Sequence, residues 1–342
     1  MPASLIVGVV QAALLGAKDS VTPLIAILYS TVVNLVGDYV LVSRLKMGLQ
    51  GAAIATAAAQ WTATAALLLR ARKKLVRDGN LGILKTSKSV VTGRTFLAFA
   101  APVLTLILGK LAAFGFMTHS AAAVPGQPLP LASHQVILSL FFFVSPFLEV
   151  ISQTAQTFLP PYLSPVKDYV NELLKKDSAY DSSKDDKLLP WRKASATVSN
   201  KLIRTGLLVA AVVASVVSLI PKYFGNFITS DVNVQMAVKP LAKYLLVGSF
   251  LAAPVAIAEG ILLAGRELTY LASVYLLSIV LLPSALIWVK NVGGNVEQVW
   301  GCFAAFQLFR AICFIGKIYG GPLLRKLASM FQRSPKTSSQ SA

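Results

Sequence analysis

Eight separate runs of about twenty predominantly apolar residues dominate this 342-residue sequence, at roughly 22–43, 49–69, 95–118, 131–159, 200–221, 238–264, 269–289 and 298–318. A run of that length, wound as an α-helix rising ~1.5 Å per residue, crosses the ~30 Å hydrocarbon core of a bilayer. A ninth run, residues 3–16, is apolar but too short to cross alone. None of the runs alternates with the period of two that a transmembrane β-barrel strand requires. Backbone N–H and C=O groups cannot stay unpaired in lipid, so the runs are helices. The expected fold class is an all-α polytopic membrane protein with eight full spans and one partial one.

Composition agrees. Hydrophobic residues make up 55% of the chain and charged residues 13%, with a mean hydropathy of +0.67. A soluble domain of this size needs more charge to cover its surface. The net charge of +18 would suggest nucleic acid in a soluble protein, but the long apolar runs exclude that partner. Its distribution gives the better explanation. If the spans alternate in direction, 24 of the 32 Lys and Arg fall in one set of connections: near Lys18, 70–94, 160–204, Arg266, and beyond 316. The opposite set holds six: Arg44, Lys46, Lys222, Lys239, Lys243 and Lys290. By the positive-inside rule the first set faces the cytoplasm or its plastid-stromal equivalent. Residues 70–94 are read as a basic linker. The polar connection around 160–199 is read as solvated and partly helical or disordered, and 321–342 as a disordered basic tail.

Cys302 and Cys313 are too few for a disulfide framework or a metal cage, and His119 and His134 do not add one. No P-loop, zinc-protease or nucleophile-elbow motif is present, so no enzyme activity, metal or cofactor is expected. The first sixteen residues lack a secretory or transit pattern.

Charged and strongly polar residues inside spans are functional candidates by default, because burying them is expensive. Asn34 and Asp38 lie four apart, stacked on one helix face. A carboxylate beside an amide oxygen can hold a proton or small cation, and the alternative is an interfacial Asp paired with Arg44 or water. Lys110 sits mid-span in L-I-L-G-K-L-A-A-F and needs a carboxylate partner, for which Glu149 and Glu259 are the candidates. A Glu–Lys–Glu cluster would serve as a proton relay, a counter-charge for an anionic substrate, or a lock between helices. Arg310 is either a substrate contact or a helix-packing residue.

Three ordered motifs then carry a resemblance. They are G-A-K-D-S-V-T-P-L (16–24), V-V-N-L-V-G-D (32–38) and G-A-A-I-A-T-A-A-A-Q (51–60). They resemble the loop between helices four and five, helix five and helix six of the multidrug-and-toxin-extrusion (MATE) family. A-S-H-Q-V (132–136) is similar to the start of the family's helix eight, and E-G-I-L-L-A-G-R-E-L-T-Y (259–270) to the end of helix ten. S-Q-T-A-Q-T-F-L-P (152–160), Lys110 and L-L-A-G-R-E (262–267) look most like the plant chloroplast-envelope, enhanced-disease-susceptibility-like branch.

The resemblance implies a two-lobe helical bundle running from the end of helix four to helix twelve. Residues 1–69 would be the remainder of the N-lobe and 95–320 the C-lobe, with the family's first three helices not in the sequence. It implies a secondary efflux transporter exchanging a proton or sodium ion for a small organic solute by alternating access. Asn34, Asp38 and Thr56 would form the coupling site. Lys110, Glu149, Glu259, Gln153 and Arg310 would line the substrate cavity or its charge network. Many members carry an acid where Lys110 stands, which favours the N-lobe for coupling. The implied state is a monomer in a plastid-envelope, plasma or vacuolar membrane. Two rival readings are a lipid-linked flippase of the same superfamily and an inactive remnant or scaffold.

Overall fold

The computed structural model describes residues 2–73, 92–176 and 185–331. All regular structure among them is helical. The helices are α1 (Pro2–Gly16), α2 (Val21–Asp38), α3 (Gly48–Ala71), α4 (Gly93–Ala122), α5 (Leu129–Phe158), α6 (Pro160–Lys176), α7 (Leu189–Tyr223), α8 (Val232–Val238), α9 (Ala242–Ala264), α10 (Leu268–Asn291) and α11 (Val296–Phe331). Among the described residues eight helical segments are long and apolar enough to cross a membrane, and Pro2–Gly16 is a shorter apolar helix. The chain is an integral, multi-pass membrane protein.

Hydropathy locates the part of a helix that sits in lipid, not the whole helix. This explains where boundaries move. α7 begins at Leu189 rather than 200, because its polar opening turns, with Pro190 in the first of them, are good helix but poor hydrocarbon. α8 and a 3₁₀ turn, Lys239–Leu241, lead into α9. α11 continues past 320 to Phe331, into the segment expected to be tail. The polar connection contains α6, an amphipathic helix of 17 residues. Most of the basic linker (74–91), part of the polar connection (177–184) and the end of the tail (332–342) lie outside the described residues.

The chain divides into two compact units, Met1–Thr92 and Gly93–Ala342. In the first, α2 and α1 both pack on α3. The turn between α1 and α2 is made by Lys18 in the left-handed region (φ 59°) and by buried Asp19. The Asp19 carboxylate accepts from the Thr22 amide at 3.1 Å and the Thr22 hydroxyl at 2.7 Å, satisfying donors that a helix start leaves free. α2 and α3 touch at Gly37, where a Cβ would stand 2.8 Å from the Ala55 Cβ. Only glycine permits that approach. After Asp38 the helix widens into a π-helical segment, Tyr39–Arg44.

In the second unit α9 is central, packing on α5, α7 and α11, while α4 packs on α10. Glycines on α9 and α7 set the spacing. A Cβ on Gly260 would meet the Ser152 carbonyl oxygen of α5 at 2.5 Å, and one on Gly206 the Ile257 side chain of α9. An aromatic group of Phe141, Trp300 and Phe303 fills the space between α5 and α11. His134 is fully buried beside it, with Nε2 3.1 Å from the Thr118 hydroxyl of α4. Outward residues such as Leu208 and Val212 on α7, and Leu276 and Val280 on α10, are apolar and exposed, as lipid-facing positions must be.

Candidate functional site

The first candidate site lies within the first unit. Asn34 and Asp38 occupy successive turns at the end of α2, and the Asn34 amide donates to the Thr56 hydroxyl of α3 at 3.4 Å. Oδ1 of Asp38 is buried and has no hydrogen-bond partner among the described residues. Arg44 does not fill that role: its Nε donates to the Tyr39 hydroxyl at 3.2 Å, and its guanidinium lies 5.5 Å from the same ring. The structure therefore brings Asn34, Thr56 and Asp38 into one neighbourhood and leaves one carboxylate oxygen available. The π-helical segment begins at the next residue, Tyr39. Single wide turns of this kind recur at functional positions in helices.

The second candidate site is a cavity of about 230 Å³ in the second unit. Five phenylalanines, Phe114, Phe141, Phe142, Phe303 and Phe306, form much of its wall. Its polar lining is Lys110, Glu149, Glu259, Gln307, Arg310 and Ser145. A largely apolar wall with a few convergent polar groups is the usual composition of a small-molecule site.

Those polar groups are linked. Lys110 Nζ of α4 lies 2.6 Å from Glu259 Oε1 of α9. The Tyr275 hydroxyl of α10 donates to the other Glu259 oxygen at 2.6 Å. Arg310 of α11 donates through one terminal nitrogen to the Tyr275 oxygen at 2.7 Å and through the other to Gln307 Oε1. Four helices thus meet in one network. Glu259, Tyr275, Gln307 and Arg310 are all buried. Unpaired, the Glu259 carboxylate would be strongly destabilising there, and two donors backed by a second cation make it tolerable.

Of the two expected carboxylates, Glu259 pairs with Lys110. Glu149 lines the same cavity but makes no ion pair among the described residues, so the Glu–Lys–Glu cluster is a Lys–Glu pair with a second acid nearby. Gln153, four residues beyond Glu149, is exposed and outside the cavity lining. Arg310 is both a cavity residue and a packing residue, its guanidinium 4.7 Å from the Phe306 ring centre.

Tyr275 and Gln307 were not singled out from the sequence. A signal existed for each. A tyrosine inside an apolar span must find a partner for its hydroxyl, and Gln307 stands three residues before Arg310, on the same face. Among the described residues no group of three His, Cys, Asp or Glu side chains is arranged to hold a metal ion.

No protein-family model matches the chain. It is 28% identical over 305 residues to Protein DETOXIFICATION 47, chloroplastic, of Arabidopsis thaliana, an alignment spanning 89% of this chain and 51% of that protein. Protein DETOXIFICATION 44, chloroplastic, of the same plant is 28% identical over 149 residues, 44% of this chain and 27% of the relative. The chain thus spans about half the length of the curated relative it matches over most of its sequence. Among solved structures it is similar to the outward-facing conformation of a multidrug resistance MATE family transporter of the MOP superfamily, with a TM-score of 0.67 at 14% identity, covering 89% of this chain and 62% of that one. A MOP superfamily transporter from Pyrococcus furiosus, described as having a binding pocket of reverse polarity, gives a TM-score of 0.61 at 14% identity, covering 91% and 63%. The chain has the MATE-type fold and is related in sequence to the plant chloroplastic DETOXIFICATION proteins.

Proposed function

We propose that this chain belongs to a secondary active efflux transporter that exchanges a proton or a sodium ion for a small organic solute by alternating access. The observation that supports this most is the free, buried Oδ1 of Asp38, one turn from the Asn34–Thr56 hydrogen bond. A buried carboxylate oxygen with no internal partner is a place for an exchangeable cation, and the energy of binding there can bias two conformations of the bundle. The aromatic cavity of the second unit, with its Lys110–Glu259–Tyr275–Arg310 network, is the solute site in this reading. The name "chloroplastic" carried by both curated relatives supports a plastid membrane, and in a plastid envelope the positive-inside rule puts the basic loops on the stromal side.

Proteoliposomes with an imposed proton or sodium gradient test the reading, using a panel of small organic cations and carboxylates as probes. Gradient-driven movement of at least one probe is expected from the wild type, and its loss from Asp38→Asn. Transport by Asp38→Asn at near wild-type rates would sink the assignment. A lipid-linked flippase would instead move a headgroup-labelled lipid between leaflets in the same vesicles.

A further inference from the structure

The network contains two cations and one buried carboxylate, and they are not held equally. Arg310 is 6% exposed and pinned at both ends, by the Tyr275 oxygen at 2.7 Å and by Gln307, with its guanidinium between the rings of Tyr275 (5.2 Å) and Phe306 (4.7 Å). Among the described residues Lys110 has a single hydrogen-bond partner, Glu259 at 2.6 Å, and 38% of its side chain is exposed. The hydrogen-bond directions follow from the chemistry. A guanidinium can only donate, so the Tyr275 oxygen accepts from Arg310 and its one hydrogen goes to Glu259 Oε2, 2.6 Å away. The Tyr275 hydroxyl is thereby polarised by a cation behind it and donates to an anion in front of it, the stronger class of hydrogen bond. Glu259 keeps that donor whether or not Lys110 is present.

We infer that Tyr275 is the positioning residue of this cavity, making Arg310 the fixed cation and Lys110 the exchangeable one on which a bound ligand's charge acts. The inference rests on the cavity being the solute site. The Tyr275 ring is also held against Lys110's own helix. At Gly109, the residue before Lys110, a Cβ would lie 2.9 Å from Tyr275 Cδ1, so backbone and ring are in direct contact. Any shift of α4 that accompanies Lys110 leaving Glu259 is transmitted to the ring. Tyr275 therefore links the state of the lysine to the position of α11 through Arg310.

Chemical labelling of lysines in the purified protein tests this without any transport assay, so its outcome is separable from that of Asp38→Asn. A small amine-reactive reagent is added, and the labelling rate of Lys110 is read by mass spectrometry against Lys243. That lysine is paired with Glu297 at 3.0 Å and touches no member of the network. In Tyr275→Phe, Glu259 loses its other charge-assisted donor and leans on Lys110 alone. The Lys110/Lys243 ratio is then expected to fall by about tenfold, the scale of one hydrogen bond to a charged group. Arg310→Gln, which keeps the hydroxyl but removes the charge behind it, is expected to lower the ratio by a smaller factor. It carries the test if Tyr275→Phe does not fold. A ratio unchanged or raised in either folded variant overturns the inference. A purely structural tyrosine would lower the unfolding temperature and leave the ratio at its wild-type value.

Discussion

Lys110 Nζ and Glu259 Oε1 are 2.6 Å apart although 149 residues separate them in sequence, one on the first helix of the second unit and the other at its centre. Few other contacts bind α4 to α9 directly; α4 rests mainly on α10, with smaller contacts to α5 and α11. The pair thus does two things. It neutralises a charge that α9 cannot carry alone, and it fixes α4 against the middle of the bundle.

Removing one partner should therefore cost more than removing both. Lys110→Met leaves Glu259 with Tyr275 alone, and an unfolding midpoint drop equivalent to about 2–3 kcal/mol is expected, at the low end for a broken buried pair because the lysine is part-exposed. Adding Glu259→Gln should restore most of that loss. Thermal unfolding of both single variants and the double variant in detergent measures the coupling. A double variant as unstable as the sum of the singles would show that the ion pair contributes nothing specific.

How much of this was legible beforehand depended on the kind of physics involved. The spans were legible because lipid imposes a length and a composition on each one. Asn34 and Asp38 on one face followed from helical spacing alone, and the need of Lys110 for a carboxylate followed from the cost of a bare charge in lipid. Which carboxylate it takes did not follow. Glu149 and Glu259 are equally apolar in context, and only the packing of α9 between α5 and α11 decides between them. Tyr275 was invisible for the same reason: its role comes from Glu259 on one side and Arg310 on the other, brought there by three helices. Gln153 lies on the expected helix, exposed and outside the lining of this cavity, a placement that spacing along α5 alone does not give.

Two glycines make opposite predictions for one substitution. At Gly260 a Cβ would stand 2.5 Å from the Ser152 carbonyl oxygen and 2.8 Å from its Cα, and backbone cannot yield as a side chain would. Gly260→Ala is expected to destabilise by about 1–3 kcal/mol despite the better helix propensity of alanine. Gly115 has nothing within 4 Å of the same built atom, so Gly115→Ala should be neutral or stabilising by about 0.5–1 kcal/mol. Unfolding midpoints of the two variants, measured side by side, check the helix spacing at α5 and α9. Equal effects would contradict it.

The orientation of the second unit is testable by labelling in sealed vesicles. Lys222 closes α7 and Lys290 closes α10, while Arg266 lies in the turn between α9 and α10. With one span between them, Lys222 and Arg266 must lie on opposite sides, the basic side being that of Arg266. In a background with Cys302 and Cys313 replaced by alanine, Lys222→Cys and Lys290→Cys should react with a membrane-impermeant maleimide from one side. Arg266→Cys should react only from the other. All three labelling from the same side would overturn the span count.

Asp38→Asn carries a second expectation, about stability rather than transport. Oδ1 of Asp38 is buried with no partner among the described residues, while Asn34 spends its amide on Thr56. A carboxylate with one oxygen desolvated and unpartnered costs the fold free energy, and a neutral amide of the same shape lowers that cost. The variant is therefore expected to unfold at the same temperature as the wild type or higher, with coupled transport lost. That combination, stability kept or gained and activity lost, marks a residue retained for what it binds rather than for what it holds together. Thermal unfolding in detergent decides the matter. A clear fall in the midpoint for Asp38→Asn would mean that the carboxylate is a structural member of the α2–α3 contact.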